Sequence, residues 1–273
     1  MLPNVIGIGF PKAGTTFLSE VLGRHPQGCL ARRKETHFFS RAADAGAYEQ
    51  QFAHCSPQAR IALEWTVQYI SDADALHRIK SAPTFLLAYR DPVDSFFSKF
   101  GGAQQQNPNR PENSRPVADF VTEDYVARFR FDLHLERLRS IFPEARLIVV
   151  RCEALLRDRD RVFRALYDAL GLDYSPIHLD VPDQNVTLVP RFKLLDRLFR
   201  KVLSLRYGEK WLRLYNDSIL DPRSNWIAAL RRWNSTQIPR EPAVVSRLQD
   251  MLRPGFERFE SMLASDLNCV WVR

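Results

Sequence analysis

The sequence predicts an α/β fold, with a central parallel sheet flanked by helices. Three observations predict it. Short continuous apolar runs (NVIGIG at 4–9, RIALEW at 60–65, TFLLAYR at 84–90, ARLIVVR at 145–151) read as strands buried on both faces. Stretches with apolar residues at helical spacing lie between them. The first strand also runs straight into a glycine-bearing loop and a helix, a context that suits phosphate binding.

Each element has its own local reason. After the strand at 4–9, TTFLSEVLGRHP at 15–26 reads as a helix. Phe17, Leu18, Val21 and Leu22 recur at helical spacing, and Pro26 stops it. Further helices are expected at about 71–80, 92–100, 117–140 and 153–171. Alternation of this kind predicts a three-layer, doubly wound arrangement. GGAQQQNPNRPENSRP at 101–116 reads as a long loop, suited to a lid or an acceptor-facing role. No strand is expected beyond residue 175. Residues 190–207 read as a basic amphipathic helix with Leu195, Leu198, Phe199, Val202 and Leu203 on one side. Lys193, Arg197, Arg200 and Lys201 lie mostly elsewhere on it, and a final helix is expected over 242–264. The chain therefore reads as a single domain, 1–273: an α/β core over 1–175 and a mainly helical C-terminal part over 176–273.

The composition is that of a globular protein, with 45% apolar and 26% charged residues, so a core can form. A formal charge of +7 implies an anionic partner: nucleotide phosphates, nucleic acid or an anionic membrane surface. No run of about 18 apolar residues exists to cross a membrane. The apolar start NVIGIGF is too short for a signal peptide and leaves no room for a stalk, so a cytoplasmic protein is expected. Cys29, Cys55, Cys152 and Cys269 are widely spaced and read as free thiols. His25, His54, His77, His134 and His178 show no metal-ligand spacing.

The chemistry is concentrated in GFPKAGTTFL, 9–18. Gly9 and Gly14 have the separation of the phosphate loop G-x-x-x-x-G-K-[ST], yet Thr15 stands where its lysine belongs and Lys12 lies inside the loop. Such a loop binds phosphate through backbone N–H groups and a helix N-terminus. Lys12 and the Thr15 and Thr16 hydroxyls add donors. A kinase would need an acid to hold magnesium. Here the strand end FLLAYRDP offers Arg90 before Asp91, which suits a phosphate ligand that needs no metal. The competing readings are a metal-dependent P-loop kinase of a small molecule and a basic membrane-surface or nucleic-acid binding protein. No nucleic-acid recognition module is present for the latter. The helix at 190–207 leaves room for peripheral membrane contact.

These residues resemble the sulfotransferases that use 3′-phosphoadenosine 5′-phosphosulfate (PAPS). PKAGTTFL, 11–18, looks like their 5′-phosphosulfate loop, and YRDPVDSFFSKF, 89–100, is similar to their 3′-phosphate motif. KETHFF, 34–39, resembles the K-E-x-H-F-F of the carbohydrate branch, the heparan N- and 3-O-sulfotransferase type. VRCEALLRDRDRVFRALYDALGLD, 150–173, is similar to a fourth family segment, so the resemblance runs in order from residue 4 to about 173. One stretch departs: EWTVQYI, 64–70, carries Trp65 and Val67 where the branch often has lysine and proline in E-K-[ST]-P-x-Y.

The resemblance implies a P-loop-like fold and sulfuryl transfer from PAPS to an acceptor hydroxyl on a carbohydrate, glycolipid or secondary metabolite. Adenosine 3′,5′-bisphosphate (PAP) is the implied product, and no metal is expected. It puts Pro11, Lys12, Ala13, Gly14, Thr15, Thr16 and Phe17 around the 5′-phosphosulfate, with Lys12 at the leaving oxygen. Arg90 and Ser98 fall at the 3′-phosphate. Glu35 is the implied general base, with His37 beside it as acceptor guide or alternative base. Phe38 and Phe39 are expected to pack the loop, and Tyr69 is read equally as lining the acceptor cleft or as an ordinary buried residue. A bacterial enzyme is implied, and Trp65 points to an acceptor other than an anionic sugar.

Overall fold

The computed structural model describes residues 2–41, 45–79, 84–106, 115–181, 189–192, 194–196, 198, 199, 201, 202, 205 and 233–273. β1 (Val5–Gly9) is buried along its whole length and runs into a turn, then α1 (Thr15–Arg24). β2 (Gly28–Leu30), α2 (Ala45–Gln50) and β3 (Ile61–Trp65) follow, then a 3-10 turn over Val67–Ser71 and α3 (Ala73–Arg78). β4 (Thr84–Tyr89), α4 (Pro92–Gln106), α5 (Glu123–Val126), α6 (Phe131–Ile141), β5 (Leu147–Arg151), α7 (Cys152–Arg157) and α8 (Arg159–Leu170) come next. The short strands β6 (Val189–Pro190) and β7 (Ser235–Thr236) precede α9 (Pro242–Ser265) and β8 (Cys269–Val272).

Six strands form one sheet in the order β2-β3-β1-β4-β5-β8, and every pairing in it is parallel. β1 is central. The chain lays β2 and β3 on one side of it and β4, β5 and β8 on the other, so the direction of winding reverses at β1. In open parallel sheets that reversal opens a crevice beyond the carboxyl ends of the strands. β1, β3 and β4 are buried almost throughout, as continuous apolar runs predict.

The chain divides into two compact units, one comprising 1–95, 128–183 and 251–273, the other 96–127 and 184–250. The first unit holds the sheet. One core packs Val5, Leu18, Val21, Leu22, Trp65, Leu86, Ile148 and Phe163 together. Phe10, Phe131 and Phe259 form an aromatic cluster, with the rings of Phe10 and Phe131 stacked at 3.9 Å. In the second unit, Phe100 meets Phe120 and Phe96 meets Tyr125 edge-on, and β6 pairs antiparallel with β7.

Several expectations need correction. β8 is a sixth strand in the sheet, although none was expected past residue 175. It and β2 are the two edge strands, only four and three residues long, too short for an apolar run to stand out. Residues 101–106, expected as loop, continue α4. The rest of that stretch, 107–114, lies outside the described residues. The helix expected over 117–140 is broken into short turns before α6, with Thr122 capping α5 and Arg130 preceding Phe131. Cys29 and Cys55 form a disulfide instead of standing as free thiols. His54 lies 3.7 Å from the Cys29 sulfur, a grouping the sequence spacing did not reveal. Of the helix expected over 190–207, residues 194–196, 198, 199, 201, 202 and 205 are helical, with Leu194, Leu198, Val202 and Leu205 exposed. Pro190 instead ends β6, and Arg191 and Phe192 form a bend before the helix; residues 193, 197, 200, 203, 204, 206 and 207 lie outside the described set.

Candidate active site

The glycine loop leaves the carboxyl end of β1 at the sheet's point of reversal. Gly14 precedes α1 in a left-handed conformation, φ 79°, which a side chain adopts only with strain. Three residues N-terminal to α1, Lys12, Ala13 and Gly14, thus turn sharply, with Lys12 itself at φ 69°. α1 has no side chain capping its N-terminus and no acidic residue in its first turn. By contrast, Asp72 caps α3 and Asp158 caps α8. Pro11, Lys12, Gly14 and Thr16 are partly exposed, whereas Ala13, Thr15 and Phe17 are buried. Phe17 lies in the core, edge-on to Phe163 and under the Arg159 guanidinium. Cys152, at the start of α7, backs the loop: its sulfur stands 3.5 Å from where a Cβ on Gly14 would be. Burial pushes the Cys152 thiol pKa up, against the pull of Arg90 nearby.

The second loop leaves β2. Glu35 and His37 also adopt left-handed conformations, φ 61° and 54°. Among the described residues, Lys12, Glu35 and His37 are the only non-glycine residues at positive φ. Lys34 Nζ donates to Glu35 Oε1 at 3.1 Å, and His37 Nε2 lies 4.0 Å from Glu35 Oε2. All three side chains keep partial exposure. The Glu35 amide donates to the Trp65 carbonyl at the end of β3, so the loop rides on that strand's carboxyl end.

Beneath this loop lies Glu64, fully buried. Its carboxylate accepts from the hydroxyls of Thr36, Tyr48, Thr66 and Tyr69. Burial first, and then the charge of Glu64, push the Tyr48 and Tyr69 hydroxyl pKa values above their ordinary range. Tyr69 is fully buried, the second of the two alternatives that its sequence reading left open. Phe38 stacks on Tyr48 at 3.9 Å and Phe39 packs edge-on to Tyr69, as loop-packing residues. Trp65 is fully buried too, its indole laid against Gly7, and its Nε1 has no hydrogen-bond partner among the described residues.

Arg90 follows β4 directly. Its guanidinium donates to Asp94 at 2.9 Å and keeps about a quarter of its side-chain surface exposed. Asp91 accepts from the Asp94 amide at the start of α4, with Pro92 in the first helical position. The Asp91 amide in turn donates to Glu153. Ser98 lies in α4, in the second unit. Glu64, Tyr48 and Glu153 were not singled out from sequence, and Cys152 was read only as a free thiol, which it is. Glu64 did leave a signal: it is the one charged residue inside the apolar run IALEW.

A parallel sheet with a left-handed loop carrying Lys12 at its winding reversal is an α/β architecture of the P-loop-like kind. The sulfotransferase family model matches residues 31–176, more than half of the chain, and the chain belongs to that family. The match begins after the glycine loop. Over 108 residues the chain is 34% identical to the membrane-associated sulfotransferase kil1 of Dictyostelium discoideum, covering 36% of this chain. The match spans only 22% of that relative's length. The crystal structure of a sulfotransferase from Alicyclobacillus acidocaldarius has a TM-score of 0.67 and 19% identity, over 98% of both chains. The sulfotransferase domain from the curacin biosynthetic pathway has a TM-score of 0.50 and 16% identity, over 92% of this chain and 97% of that one. At these identities the two structures establish the fold, which is P-loop-like. No helix among the described residues is long and apolar enough to cross a membrane.

Proposed function

We propose that this sulfotransferase moves a sulfuryl group from PAPS to an acceptor hydroxyl on a carbohydrate, glycolipid or secondary metabolite. The observation that supports this best is the backbone at Lys12, Glu35 and His37, the three described non-glycine residues at positive φ. Each such conformation costs of order 1–3 kcal/mol, and strain of this kind collects at functional sites. All three lie on loops beyond the carboxyl ends of β1 and β2.

The residues present fit the donor. The uncapped N-terminus of α1, the left-handed Gly14 and the Thr15 and Thr16 hydroxyls suit a 5′-phosphate. PAPS, when bound, supplies a sulfuryl group activated by attachment to that phosphate. Lys12 holds positive charge where the bridging oxygen departs. Arg90 offers its planar fork to the 3′-phosphate, in competition with Asp94. The motif assigns Ser98 to the same phosphate. Pro11, Ala13 and Phe17 shape the loop.

Glu35 takes the acceptor proton in this reading. Lys34 occupies its Oε1, which leaves Oε2, on the His37 side, for the acceptor hydroxyl. His37 orients that hydroxyl. Trp65 packs in the core, so this strand end supplies no lysine for a polyanionic sugar, and a neutral acceptor is favoured. Residues 1–273 act as one catalytic domain, without a metal.

Thermal unfolding with PAP, ADP and ATP, with and without magnesium, tests the reading. At about 100 times its dissociation constant, PAP adds roughly 2.7 kcal/mol of stability, a Tm rise of about 5 °C or more. A rise with PAP that ignores magnesium supports the PAPS site. A rise only with ATP and magnesium replaces it with a kinase.

A further inference from the structure

Glu64 has no catalytic task in the reading above, yet it is the most heavily hydrogen-bonded side chain near the Glu35 loop. It has zero exposure, and no cation pairs with it among the described residues. Thr36 Oγ1 donates to its Oε1 at 2.5 Å, Tyr69 at 2.7 Å and Thr66 at 2.9 Å. Tyr48 donates to its Oε2 at 2.6 Å. Three hydroxyls thus converge on Oε1 and one on Oε2.

A hydroxyl has one proton to give. With that proton committed to Glu64, its oxygen turns lone pairs outward, and three of the four oxygens then receive loop amides. Thr66 Oγ1 accepts from the His37 amide at 3.3 Å, Thr36 Oγ1 from Phe38 at 3.2 Å and the Tyr69 oxygen from Phe39 at 3.1 Å. The fourth hydroxyl belongs to Tyr48, whose ring carries Phe38. The direction of each hydroxyl dipole, and so the seat of each amide, is set by one buried carboxylate.

We propose that Glu64 is a positioning residue that holds the loop of Glu35 and His37 in its left-handed conformations through the hydroxyls of Thr36, Thr66 and Tyr69, with Tyr48 fixing its Oε2. The catalytic part of the proposal rests on Glu35 being the base. Replacing Glu64 with Gln keeps the shape and exchanges one acceptor for an NH₂ donor. At least one hydroxyl must then reverse, and a reversed hydroxyl presents its proton where an amide needs an acceptor.

Amide hydrogen exchange over 33–41 in Glu64→Gln and Tyr48→Phe, beside steady-state kinetics, tests it. In Glu64→Gln the amides of His37, Phe38 and Phe39 should exchange at least tenfold faster, with the β1–α1 loop unchanged. The kcat should fall at least tenfold while the donor KM stays within twofold. Tyr48→Phe should act in the same direction and add less to Glu64→Gln than it does alone. Unchanged exchange in a folded variant, or a loss spread equally over kcat and donor KM, overturns the proposal. If Glu64→Gln does not fold, Tyr48→Phe decides it alone, since that change keeps the ring on Phe38. The exchange readout needs no substrate, so a failure of the wild type to bind PAP would overturn the PAPS reading and leave the relay to be judged separately.

Discussion

Replacing Gly7 with alanine places a methyl group inside an indole ring. Gly7 faces Trp65 across the β1–β3 pairing. A Cβ on Gly7 would lie 2.3 Å from Trp65 Cγ, 2.4 Å from Cδ2 and 2.7 Å from Cδ1. Unbonded carbons prefer about 3.5–4.0 Å, so the ring must retreat by more than about 1 Å. It has nowhere to go, because Trp65 is fully buried in the core with Val5, Ala13, Phe17 and Leu18. Overpacking of this kind costs about 1–3 kcal/mol and sometimes more, and the depth of the overlap puts Gly7→Ala at the upper end. For a chain of this size that lowers Tm by roughly 6–12 °C. Trp65 Nε1 has no described hydrogen-bond partner, so packing alone resists the shift. Urea unfolding of Gly7→Ala, Trp65→Leu and the double variant measures the term. The double variant should be at least about 1 kcal/mol more stable than the sum of single effects predicts. Since the Trp65 carbonyl holds the Glu35 amide, kcat should fall with stability. A Gly7→Ala protein within about 0.5 kcal/mol of wild type, or strict additivity, would refute the placement of the ring.

Four further outcomes are expected. Glu35→Gln should lower kcat by about 10²–10⁴ and leave the PAP-induced Tm shift intact, since a general base acts on the acceptor; unchanged turnover removes Glu35 from the chemistry. Arg90→Ala should weaken PAP binding by about tenfold or more in calorimetry and spare nucleotides without a 3′-phosphate, because a charge-assisted hydrogen bond is worth about 1.5–3 kcal/mol. Equal loss for both would make Arg90 a structural partner of Asp94. Reducing Cys29–Cys55, whose cysteines are 26 residues apart, should cost about 3–4 kcal/mol by chain entropy, visible as a lower Tm in dithiothreitol that Cys55→Ser reproduces. Finally, the Tyr174 hydroxyl and the Arg164 guanidinium lower the pKa of Asp160 to about 2, below the unfolded value of about 3.9. Its stabilising effect is therefore present above about pH 4 and lost as pH falls through about 2. Stability of Asp160→Asn should vary less with pH across that window, measured by urea midpoints at each pH.

Much of the local structure around the candidate site was legible because it is written in neighbouring residues. Gly9, Lys12, Gly14 and the two threonines sit within eight residues, and their order states the turn, the charge and the helix start. Arg90, Asp91 and Pro92 likewise write out a strand end and a helix cap in three letters. Lys34, Glu35 and His37 could be named together because they share one loop. What the sequence did not reveal is why that loop holds its shape. In EWTVQYI the eye goes to Trp65 and Val67, the departures from the family pattern. The kept residues Glu64, Thr66 and Tyr69 are the ones that meet Thr36 and Tyr48 underneath.

The sequence by itself determined the α/β class, the strands of the sheet's centre and the glycine turn between β1 and α1. Each depends on spacing within one turn or one strand, where helical and extended periodicities act. Only the tertiary structure decided that β2 and β8 close the two edges of the sheet and that Cys29 meets Cys55. It also decided that Trp65 belongs to the core. These are pairings between residues far apart along the chain. Their geometry is fixed by which strands lie side by side, and no local pattern of side chains encodes that order.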